Sequence, residues 1–130
     1  MLEHTGDIAI KAYGKNRREV FINSALGMME YLYGKEILEK NTPKSEKLTV
    51  QAPDLKSLLV DWLSELLYLS DTNYRAYTKF TIEELTDTKI TATINSCEAQ
   101  AKDDIKAVTY YNLQIEKKAD KWEATVTYDI

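Results

Sequence analysis

From Asp54 to Leu69 the apolar positions recur with a helical period. Leu55, Leu58, Leu59, Trp62, Leu63, Leu66 and Leu67 line one broad stripe of a 3.6-residue helix, while Lys56, Asp61, Ser64 and Glu65 fall off it. Pro53 before the first turn and Asp54 at the helix's positive end mark its start. Ser70, Asp71, Thr72 and Asn73 are residues that bond their own backbone and favour turns, so the pattern predicts a stop there, with Asp71 at or just past the helix end. A helix this apolar requires a sheet or a second helix to cover it.

The rest of the chain supplies both. Asp7 to Tyr13 reads as a strand with Ile8, Ile10 and Ala12 on one face, and Gly14-Lys15 turns the chain. Asn16 followed by Glu19 has the spacing of a capping box. Val20, Phe21, Ala25, Met28, Met29 and Leu32 then continue a helical stripe to a stop at Gly34. Residues 35–46 are polar, carry Pro43 and read as a connecting loop, followed by a short strand from Lys47 to Ala52. After the leucine-rich helix the period changes to two. Ala76–Glu84, Lys89–Ser96, Val108–Glu116 and Trp122–Asp129 alternate and are rich in Thr, Tyr, Val and Ile, with turns at Thr86-Asp87 and Lys118-Ala119-Asp120. The order β-α-β-α-β-β-β-β predicts an α+β domain, two helices on one face of a mixed, mostly antiparallel sheet of about six strands.

Composition narrows the function classes. With 130 residues, 44% hydrophobic and 29% charged, the chain is expected to form one domain over residues 1–130 with a substantial core. It carries no linker, repeat or low-complexity tract, no apolar run of membrane-spanning length and no signal-peptide pattern at Met1-Leu2-Glu3-His4, so a cytoplasmic location is expected. The single cysteine, Cys97, excludes an internal disulfide and zinc sites built on cysteine pairs, and reads as a small packed residue. A net charge of −4 argues against unaided binding to a DNA or RNA backbone, so contact with RNA is expected to run through a partner.

Polar residues with chemical potential gather at the ends of the first and last strands. Glu3-His4-Thr5-Gly6-Asp7 is an acid-rich corner, and carboxylates grouped on a loop are what a hard divalent cation takes as ligands. At the other end Asp129 and the Ile130 α-carboxylate bring two more anions, and a last strand paired beside the first would place Asp129 near Asp7. Lys106 leads a strand with apolar neighbours. Taken singly these residues have ordinary readings: His4 beside an acid as a solvated pair, Asp71 as a helix-ending residue, Lys106 as a charge protecting a sheet edge.

Four separated stretches, in order, resemble the archease family. They are Glu3-His4-Thr5-Gly6-Asp7-Ile8 with Lys11-Ala12-Tyr13-Gly14, Ala25-Leu26-Gly27-Met28, the helix motif from Leu58 to Leu69, and Lys106-Ala107-Val108-Thr109-Tyr110 before a final Asp129-Ile130. The resemblance implies an accessory protein of an RtcB-type RNA ligase, which joins tRNA halves and other RNA ends. Such a protein promotes the ligase's GTP-dependent guanylylation and its multiple turnover. By the family pattern Asp7, Asp129 and the Ile130 carboxylate match metal-binding acids for Ca²⁺, Mg²⁺ or Mn²⁺, Lys106 matches the required lysine, and Asp71 matches an acid of the Asp-Thr turn, with His4 a further candidate. Two positions depart from that pattern: Ser70 and Tyr111 stand where the family usually has histidine. A non-enzymatic activator is favoured because the chain has neither a phosphate-cradling glycine loop nor a nucleophile-base pair. The alternatives are a free-standing metal-dependent phosphoesterase using the same acids, and a chaperone-like binding module for RNA-modifying enzymes.

Overall fold

The two apolar stripes become two long helices. In the computed structural model, which describes residues 6–130, α1 spans Arg17–Tyr33 and α2 spans Leu55–Asn73. All six predicted stripe residues of α1 are buried, joined by Ser24 and Tyr33. In α2 Leu58, Leu59, Trp62, Leu63, Leu66 and Leu67 are buried together with Val60 and Ser70, and Leu55 is half-buried. The caps follow the sequence. Asn16 Oδ1 accepts from the Glu19 N–H at 3.0 Å, and Asp54 Oδ1 accepts from the Ser57 N–H at 2.8 Å. Glu19 completes its box one residue early, its carboxylate accepting from the Lys15 N–H at 2.9 Å. Gly34, at φ 89°, ends α1 by donating to Glu30 O at 2.8 Å.

The strands are β1 (Asp7–Gly14), β2 (Lys44–Gln51), β3 (Arg75–Leu85), β4 (Lys89–Glu98), β5 (Ala107–Val108), β6 (Gln114–Lys118) and β7 (Lys121–Asp129). The α+β class and the two helices stand, but the strands divide into two wholly antiparallel sheets in place of one mixed sheet. In the first, β7 pairs with β1 on one side and with β5 and β6 on the other; in the second, β4 lies between β2 and β3. One hydrophobic core serves both. α1 packs on β1 and β7 of the first sheet and β3 of the second, while α2 packs on all three strands of the second and on β5. Trp62 is buried at its centre, its ring edge against Phe80 with centroids 5.6 Å apart and its indole N–H donating to Phe21 O at 3.1 Å. Cys97 is a buried free thiol.

Three local expectations need correction. The predicted loop 35–46 contains a 3-10 turn at Lys35–Glu39 that buries Ile37, and β2 begins immediately after Pro43. The predicted strand Val108–Glu116 is broken into β5 and β6. Asn112 adopts φ 51°, Leu113 N–H bonds to Tyr110 O, and Thr109 Oγ1 accepts from the Tyr111 N–H, a turn built from Thr and Asn chemistry. α2 runs past Ser70 to Asn73 and is closed by Tyr74 in the left-handed conformation, its N–H on Ser70 O at 3.0 Å. Asp71 therefore lies inside the last helical turn. No helix among the described residues is long and apolar enough to cross a membrane.

Candidate functional site

The last residues of β7 bring the two predicted acids together. Asp129 is directly opposed to Asp7 of β1 on one side and to Ala107 of β5 on the other. Two further main-chain bonds fasten this end of the sheet: Lys106 N–H to Asp129 O at 2.7 Å and Ile130 N–H to Gly6 O at 3.1 Å. Directly opposed residues of an antiparallel pair share a face with their Cβ atoms about 4.5–5.5 Å apart, so the Asp7 and Asp129 side chains are neighbours. Both are exposed, and among the described residues neither forms an ion pair. Like charges directly opposed across a ladder are destabilising unless a cation lies between them.

The set fits a hard divalent cation in kind, since carboxylate oxygens are its preferred donors and Ile130 adds main-chain oxygens beside them. No group of three His, Cys, Asp or Glu side chains is gathered among the described residues. A metal here would thus be held by Asp7, Asp129 and oxygens of Ile130. His4 and Glu3 lie outside the described residues.

Lys106 is tied to Asp129 through its main chain. It is exposed and immediately precedes Ala107, the partner of Asp129. Its side chain lines a cavity of about 320 Å³ with Ala107 and Val108 of β5 and with Ser64, Leu67, Tyr68 and Asp71 of α2. The structure thus brings Asp7 and Asp129 together across β1 and β7, and Lys106 and Asp71 together at a cavity between β5 and α2. The Asp71 carboxyl is raised above its ordinary range, first by partial burial and then by the charge of Asp104.

Ser70 and Tyr111, the two positions expected to carry histidine from the resemblance, serve different ends. Ser70 is buried, its hydroxyl bonded to Tyr33 Oη and donating to Arg75 O at 2.8 Å. Tyr111 is exposed on the β5–β6 turn. Residue-by-residue reading missed Tyr68, which is 61% exposed and lines the Lys106 cavity.

Comparison with known proteins agrees with the fold. The model of the Archease protein family (MTH1598/TM1083) matches residues 1–130. The chain belongs to the archease family. It is 41% identical over 138 residues to protein archease of Methanosarcina mazei, covering 99% of this chain and 93% of the relative. With protein archease of Pyrococcus furiosus it shares 31% identity over 137 residues, covering 98% and 95%. Among solved structures, the solution structure of Methanobacterium thermoautotrophicum protein 1598 superposes with a TM-score of 0.69 at 30% identity, covering 99% of this chain and 96% of that one. The crystal structure of an archease described as a possible chaperone, from Thermotoga maritima, superposes at 0.67 with 19% identity over 100% and 95%, a likeness of fold alone.

Proposed function

We propose that this member of the archease family activates an RtcB-type RNA ligase in the cytoplasm, promoting its guanylylation by GTP and its repeated turnover in tRNA splicing or RNA repair. The observation that carries the reading is the register of β7, which sets Asp129 directly opposite Asp7 and fastens Lys106 to Asp129 O. Two exposed carboxylates held side by side on adjacent strands contribute repulsion to the fold, so their use lies in binding.

Guanylylation moves the nucleotidyl phosphorus of GTP to a ligase side chain while pyrophosphate leaves, and negative charge grows on the phosphate oxygens. A divalent ion (Ca²⁺, Mg²⁺ or Mn²⁺), held by Asp7, Asp129 and Ile130, would supply positive charge that compensates phosphate oxygens. Asp7 and Asp129 orient that charge at the end of a fixed sheet, and Lys106, on a long stem beside α2, can turn its ammonium toward a phosphate or an acid of the ligase. The chain acts as an accessory factor and meets RNA through the ligase.

The test mixes the chain with its host's ligase, labelled GTP and each divalent metal in turn, and follows transfer of label to the ligase. Accelerated labelling that depends on metal is expected. Hydrolysis of RNA or nucleotide by the chain alone would favour a phosphoesterase instead. Prevention of ligase aggregation without faster labelling would favour the chaperone-like reading, in line with the description of the Thermotoga maritima protein as a possible chaperone.

A further inference from the structure

A second cavity, separate from the acids on β1 and β7, opens at the ends of both helices. Its walls are Tyr33 from α1, Ser70, Asp71 and Tyr74 from the end of α2, and residues 99–101 of the segment leaving β4, and it holds about 240 Å³. That segment is fixed in place: Ala99 N–H bonds to Tyr74 O at 3.1 Å, Lys102 and Asp103 N–H both bond to Leu32 O, and Ile105 is buried.

The walls are rich in acceptors, beside the Gln100 amide, which both donates and accepts. The Tyr33 and Ser70 hydroxyls bond to each other, one donating to the other and Ser70 in turn donating to Arg75 O at 2.8 Å, so both hydrogens are used internally and lone pairs remain for the cavity. Asp71 adds a carboxylate that makes no ion pair among the described residues, and α2 has no basic residue in its last turn. An acid at a helix's negative end, near a second acid, Asp104, costs stability where a base would add it. Tyr74 stands at the rim, 74% exposed. A cavity of this size, lined by acceptors, a carboxylate and an aromatic face, complements a flat cation.

We propose that this cavity is a socket for an arginine side chain presented by a partner protein. The guanidinium has donors in a fork that suits Asp71 and the two hydroxyl oxygens, and its plane stacks on a tyrosine ring, which a lysine ammonium does not match. A protein source follows from the rim, since an exposed tyrosine such as Tyr74 presents the amphipathic contact area that protein interfaces use around an anchoring side chain. The inference is independent of the metal-site reading.

The test is an NMR titration of the whole chain with N-acetyl-arginine amide, using the isosteric and uncharged N-acetyl-citrulline amide as control. Saturable shifts are expected at the amides of residues 70–75 and 99–101 with arginine and not with citrulline. They should be lost in Asp71→Asn, weakened in Tyr74→Ala, and retained in Asp61→Asn, which removes the same charge from α2. Equal shifts with citrulline, undiminished binding by folded Asp71→Asn, or no saturable shift at these residues would overturn the proposal.

Discussion

Asp71 and the pair Asp7 and Asp129 show two ways in which a single acid can be placed at a cost to the fold. The Asp71 carboxyl is raised by partial burial and by Asp104, so its charged form is disfavoured in the folded state. The sign follows from linkage. Below the unfolded value of about 3.9 the group is protonated in both states and costs nothing; the cost develops as pH rises through the folded value and is complete above it. Asp71→Asn is therefore expected to melt at or above the temperature of the parent at pH 7, with the difference vanishing as pH falls to the acid limb. Thermal melts of both proteins across that range check it, and a variant that melts lower at pH 7 would contradict the account. For Asp7 and Asp129, both exposed, substitution by alanine is expected to change stability by no more than about 0.5 kcal/mol. Urea unfolding of each single variant measures this directly.

The elements carry the packing, and here much was legible in the sequence. The stripes of α1 and α2 and their Asn16 and Asp54 caps follow from local spacing alone, because helix period and capping are set within a turn or two. Trp62→Ala is expected to cost about 3–5 kcal/mol, since it opens a cavity at a fully buried site and leaves Phe21 O without its indole partner. Denaturant midpoints will show it. Gly14 is a sharper case. A Cβ there would lie 2.6 Å from Glu19 Cβ and 2.8 Å from the Val20 nitrogen, backbone that cannot swing aside, so Gly14→Ala should destabilise by ~1–3 kcal/mol. A neutral result would mean that the β1–α1 turn relaxes more freely than its contacts allow. What local spacing could not give was the interruption between β5 and β6, where Thr109 and Asn112 fold a turn into a run of strand-forming residues. Nor could it extend α2 to Asn73, which depends on Tyr74 taking a left-handed conformation usually left to glycine or asparagine.

At the scale of the whole molecule, the division into two sheets is set by pairings between the first and last strands and between β2 and β4, which no local pattern encodes. The grouping of Asp7 with Asp129 was legible because each sits at a strand end, so one assumed pairing located both. The cavity that Lys106 shares with Tyr68 and Asp71 depends on α2 lying against β5, which no local pattern encodes. The proposed activation of a ligase uses both the carboxylates and the lysine. The most direct test measures label transfer from GTP to the ligase against dose of Asp129→Ala, with melts confirming that the variant is folded. The account predicts a fall of about 10²-fold or more in the rate of guanylylation with an unchanged melting temperature. An Asp129→Ala variant that melts normally and activates the ligase as fully as the parent would contradict it.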